Sequence, residues 1–109
     1  MKSLQPSELA ALATAGTAPL LLDVREPWEL ATARLHPAGT TLLHIPMQQV
    51  PQRLAEIPTA QPVVCICHHG ARSAQVVAFL LRQGLADVYN LDGGIDAWSL
   101  EVDVGVPRY

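Results

Sequence analysis

The chain predicts an α/β fold, a mostly parallel sheet of short strands with helices covering both faces. Two observations carry this reading. Apolar runs of four to six residues alternate with segments of about ten residues that have helical periodicity. Polar clusters then sit where those runs end, at "DVRE" and "CHHGARS", as expected of strands whose carboxyl ends open onto a site. With 109 residues, half of them apolar, the chain can bury one modest core, and residues 1–109 are read as a single domain.

The elements follow in order. "PSELAALATAG" carries Leu9 and Leu12 three apart, starts at Pro6 and Ser7 and stops at Gly16, which makes a short helix. "APLLLDV" is too short for a helix and reads as a buried strand with a charged carboxyl end. "EPWELATARL" gives a helical turn or two, and "LLHI" a second short strand ended by Pro46. "MQQVPQRLAEI" places Val50, Leu54 and Ile57 at helical spacing, provided Pro51 falls in the first turn or at a kink. "PVVCI" is the clearest buried strand. "RSAQVVAFLLRQG" is the clearest helix, with Val76, Val77, Leu80 and Leu81 on one face and Gly84 as its stop. "DVYNL" is a further strand, "DGG" a tight turn and "IDAWSL" a short last helix. "DVRE" and "CHHGARS" are expected to face each other.

The densest chemistry lies in "VVCICHHGARSAQVV", which holds both cysteines and two of the four histidines. Strand, cysteine, glycine-containing loop and helix in succession place Cys67 where backbone N–H groups and a helix N-terminus converge. Such a nest favours an anion, and the thiolate is the reactive form of cysteine. Gly70 lets the loop turn inward, Ser73 suits the first helical turn, and Arg72 supplies a fixed charge. Cys65 points to the same side of the strand but deeper, as a small buried hydrophobe. A Cys65–Cys67 disulfide would stretch over about 6.6 Å between Cα atoms, near the limit of disulfide geometry. Cys65, Cys67, His68 and His69 look like four soft metal ligands, but contiguous side chains do not converge tetrahedrally, so no metal is expected.

These residues resemble a known family. "LLDVRE", "CHHGARS", "LLRQG" and "LDGGIDAW" occur in the order and at about the spacing of the rhodanese-like sulfurtransferases. The resemblance implies a parallel sheet of about five strands, with the site loop after the fourth. It implies that Cys67 attacks a sulfur donor such as thiosulfate, holds the sulfur as a persulfide and passes it to cyanide, a thiol or a protein thiol. His68, His69, Gly70, Ala71 and Arg72 would form the cradle, supported by Asp23, Arg25 and Ser73. Asp23 or Glu26 is the expected partner of Arg72, with Asp23 favoured as a structural ion pair and Arg25 weighed as a substrate contact. Gly93, Gly94 and Trp98 would shape the last turn and fill the core. No cofactor is implied. The chemistry fits, because sulfur passing between thiolates needs no general base when N–H groups hold the anions.

Two departures stand out. The loop's variable positions are His68, His69 and Ala71 rather than fixed cations, which predicts that thiosulfate is a poor donor. The segment "ARLHPAGTTLLHIP" is longer than the family's compact turn and unsettles the third strand around His36; His36 and His44 are expected to be structural or exposed.

A formal charge of −3, with Lys2 the only lysine, argues against nucleic-acid and anionic-membrane partners. The absence of a long apolar run or a hydrophobic leader gives a cytoplasmic expectation. Cysteine phosphatases and arsenate reductases place five residues between cysteine and arginine, whereas four stand between Cys67 and Arg72. A tighter ring suits a terminal sulfur better than a tetrahedral oxyanion. A persulfide carrier, or a docking module that has lost the chemistry, uses the same fold; the presence of Cys67 argues against the latter.

Overall fold

The computed structural model describes residues 1–109. Five strands alternate with four helices: β1 (Ser3–Leu4), α1 (Pro6–Thr14), β2 (Leu20–Asp23), α2 (Pro27–Thr32), β3 (Thr41–His44), β4 (Val63–Ile66), α3 (Ala71–Arg82), β5 (Val88–Leu91) and α4 (Gly94–Glu101). The strands form one wholly parallel sheet in the order β1-β5-β4-β2-β3. No helix is long and apolar enough to cross a membrane.

The central strands β2 and β4 are buried along their whole length, which is why they read as unbroken apolar runs. Alternation then divides them between two cores. Leu20, Leu22, Val63, Cys65 and Val88 pack with Val76, Val77 and Leu80 of α3. Leu21, Val64, Ile66 and Leu91 pack on the other face with Leu9 of α1 and Ile95 and Trp98 of α4. Leu81 departs from the expected apolar face of α3, for it is 40% exposed. Helix α3 ends as its sequence indicates: Gly84 turns at φ +93°, with Gly84 N–H donating to Leu81 O and Leu85 N–H to Leu80 O.

One element is additional to the sequence reading and one expectation is corrected. Ser3–Leu4 form an edge strand on β5, where Asn90 N–H donates to Lys2 O and Asp92 N–H to Leu4 O. A two-residue strand has no periodicity to read, so only its partner reveals it. The segment expected as a helix around Val50, Leu54 and Ile57 forms two separate 3₁₀ turns, Met47–Gln49 and Leu54–Glu56. Pro51 has no N–H to continue an α-helical ladder at the junction, although Val50 and Ile57 still reach the core.

Register places the chemistry. Asp23 pairs with Ile66 of β4 and His44 of β3, so the carboxyl ends of three strands lie level. Val24 N–H continues the ladder onto Ile66 O at 3.0 Å. The segments after β2 and β4 therefore emerge side by side from the middle of the sheet.

Candidate active site

Cys67 leaves the end of β4, and its loop closes at Gly70, which precedes α3 with φ +104°. The carbonyls of Cys67 and His68 accept the Ile95 and Asp96 N–H groups of α4 at 2.9 and 3.1 Å, which anchors the loop to α4. Gly94 makes this approach possible, since a Cβ there would collide with both carbonyls and its φ is +63°. Cys67 is 1% exposed. Its sulfur accepts the Gly70 N–H at 3.0 Å and lies 3.2 Å from the Ser73 hydroxyl.

The Ser73 hydroxyl has one proton and three acceptors around it: Cys67 Sγ, Gly70 O and Asn90 Oδ1. Asn90 Nδ2 donates to Gly70 O at 3.1 Å, which turns its oxygen toward Ser73. Thus a buried polar group on β5 braces the loop from below.

Arg72 extends from the first turn of α3 to α2, where Nη1 and Nη2 donate to Glu29 Oε1 and Oε2 at 2.7 and 2.8 Å. This corrects the expected pairing with Asp23 or Glu26. Asp23 is instead taken by Arg25, with Nε donating to Oδ1 at 2.9 Å and Nη2 to Oδ2 at 2.7 Å. Arg25 also donates to Glu29 O, Ala33 O and the Tyr109 hydroxyl at 3.3, 2.8 and 3.0 Å. Wholly buried and with its donors engaged, Arg25 ties the end of β2 to α2.

Glu29 also accepts the Tyr109 O–H at 2.6 Å, and the two donors hold its carboxyl down at about 2, Arg72 contributing most. The Tyr109 ring stacks on His68 at 3.9 Å and 7°, and His68 stacks on His69 at 4.0 Å and 17°. Burial, then the neighbouring His69, pushes the His68 imidazole below its ordinary range. His69 and Ala71 face solvent. Burial raises the Cys65 thiol to about 12, so it stays protonated. Both cysteines are free thiols.

The Rhodanese-like domain family model matches residues 5–101. The chain belongs to that family. Its rhodanese-like relatives include a "Sulfurtransferase" of Allochromatium vinosum, 45% identical over 80 residues that cover 73% of this chain and 71% of the relative. A "Thiosulfate sulfurtransferase GlpE" of Stutzerimonas stutzeri is 31% identical over 97 residues, covering 89% and 84%. Among solved structures, a rhodanese-like domain protein from Staphylococcus aureus superposes with a TM-score of 0.79 at 30% identity, covering 100% and 99%. The expected rhodanese-like fold, with its parallel sheet of five strands, is therefore what this chain adopts.

Within that rhodanese-like frame, sequence reasoning passed over Glu29, Asn90, Asp96 and Tyr109. Asn90 had a signal, a polar residue at an inward position of an apolar strand. Glu29 lies in the first turn of α2, where its Oε1 also accepts the Glu26 N–H. Tyr109 had none, because only the folded tail brings it to His68. The four soft ligands seen in sequence separate: Cys65 lies in the strand and Cys67 in the cradle. The groups able to approach one ion are His68, His69 and Asp96, whose ligand atoms lie within 4.8 Å of one another. Arg108 already holds Asp96 at 2.8 Å and competes with any cation there. His36 bonds Thr40 O at 3.2 Å, and His44 bonds Arg25 O at 2.6 Å.

Proposed function

We propose that this protein moves a sulfane sulfur through a persulfide on Cys67. The Cys67 thiolate attacks the outer sulfur of a donor, of which thiosulfate is the simplest: Cys67–S⁻ and S–SO₃²⁻ give Cys67–S–S⁻ and SO₃²⁻. One S–S bond forms and one breaks, with no net redox change. A thiol, cyanide or protein thiol then takes the outer sulfur. His68, His69, Gly70, Ala71 and Arg72 line the cradle, Ser73 supports the sulfur, and Asp23 with Arg25 secures the strand end beside it.

The observation that carries this reading is the Gly70 N–H donating to Cys67 Sγ, with the Ser73 hydroxyl 3.2 Å from the same sulfur, in a chain whose relatives are named sulfurtransferases. Hydrogen bonds that favour an anionic sulfur serve thiolate and persulfide alike. The reading expects a solution of the protein to turn over thiosulfate and cyanide to thiocyanate, at a rate lost in Cys67→Ser and retained in Cys65→Ser. Full activity in Cys67→Ser contradicts it, as does loss of activity in a folded Cys65→Ser.

A further inference from the structure

Every guanidinium around the loop already has a carboxylate. Arg72 is held by Glu29 at 2.7 Å, Arg25 by Asp23 at 2.7 Å and Arg108 by Asp96 at 2.8 Å. Three positive charges meet three negative ones, and a dianion entering the site finds no surplus cation beyond the backbone N–H groups. His68 does not compensate, since burial and the adjacent His69 ring keep it toward its neutral form. The surface beside the cradle is instead planar and weakly polar. His69, His68 and Tyr109 form a continuous stack, and Trp28, 63% exposed, meets Tyr109 edge-on at 6.0 Å.

We propose that Glu29 determines donor specificity: by neutralising Arg72 it turns the site from dianionic donors such as thiosulfate toward singly charged, carbon-bound persulfides. The proposal rests on the sulfur-transfer reading above and names the substrate class for it. The balanced step is Cys67–S⁻ with R–S–S⁻ giving Cys67–S–S⁻ and R–S⁻, the leaving thiolate carrying the electron pair of the broken S–S bond. Removing a dianion from water costs more than removing a monoanion, and the cost is met by counter-charge or by burial of R. The ring stack offers the second. Arg72 keeps 35% of its side chain exposed, so a donor can reach its charge once Glu29 is neutral.

The test measures second-order rate constants for adding sulfur to Cys67 from thiosulfate and from benzyl persulfide, in wild type, Glu29→Gln and Glu29→Gln/Arg72→Gln. Their ratio within each protein cancels the donors' intrinsic reactivities from the comparison between proteins. Glu29→Gln should raise the thiosulfate constant about tenfold while the benzyl persulfide constant moves by less than about threefold. The double variant should return the ratio to the wild-type value. A ratio unchanged in folded Glu29→Gln overturns the proposal and leaves the sulfur-transfer reading standing. Should neither donor load Cys67, both readings fall together. If Glu29→Gln does not fold, wild type decides: a neutralised site predicts thiosulfate loading that changes less than about twofold between about 20 and 300 mM salt, and a steep fall overturns the proposal.

Discussion

Arg72 and Glu29 stand 43 positions apart and meet in a bidentate ion pair at 2.7 and 2.8 Å. The pair joins the first turn of the helix after the cysteine loop to the helix after β2, so it ties α3 to α2 and balances the Arg72 charge. The Tyr109 hydroxyl completes the coordination of Glu29 at 2.6 Å.

Acid should weaken the fold through this pair. The Glu29 carboxyl falls from an ordinary 4.5 to about 2 in the folded protein. Because the folded value lies below the unfolded one, its stabilisation is complete above about pH 4.5 and is lost as pH falls toward 2. The shift corresponds to at most about 3 kcal/mol. Urea denaturation between pH 7 and 3 should show wild type losing its advantage over Glu29→Gln across that window; a gap that stays constant down to pH 3 contradicts the assignment.

Gly94→Ala should damage loop and fold together. The added methyl group meets the Cys67 and His68 carbonyls at a backbone angle of +63°, and the left-handed conformation alone costs about 1–2 kcal/mol. A melting temperature lower by several degrees, with sulfur loading slowed at least about tenfold at a temperature where the variant is folded, is the expected result. Unchanged loading would mean that the loop tolerates displacement of both carbonyls.

Arg25→Leu should act on stability. It strips six side-chain hydrogen bonds from Asp23, Glu29, Ala33 and Tyr109 and leaves the Asp23 carboxylate buried without its cation. Breaking a buried pair in this way costs about 3–5 kcal/mol. Denaturant midpoints measure it, and a loss below about 1 kcal/mol would show that the network carries little of the fold.

Most of the fold was legible because its central strands are buried on both faces and its longest helix carries a local stop signal. "VVCI" and the Schellman ending at Gly84 need no tertiary knowledge to read. β1 and the 3₁₀ turns around Pro51 were not legible, since one depends on its partner strand and the other on a missing N–H in a periodic segment. At the site, the cradle from Cys67 to Ser73 follows from local order along the chain. The partners of Arg72 and His68 do not, because register and the return of the tail decide which carboxylate and which ring arrive there. Asp23 was a reasonable candidate for Arg72 by proximity to the strand end, but Arg25, two residues on, occupies it first.

Ser73→Ala removes the hydroxyl whose one proton is shared between the Cys67 sulfur and Asn90 Oδ1. A hydrogen bond to a charged group is worth about 1.5–3 kcal/mol, so loading should slow by roughly tenfold or more. Quenched-flow loading assays measure this, and a rate within about twofold of wild type would place the Ser73 proton permanently on Asn90.

The most direct measurement is the intact mass of the protein after exposure to a sulfane-sulfur donor, followed by peptide mapping. A gain of about 32 Da on the peptide containing Cys67, reversed by cyanide or a thiol, is the predicted result. No gain from either thiosulfate or a carbon-bound persulfide, or a stable gain located on Cys65, would contradict a sulfur transferase working through Cys67.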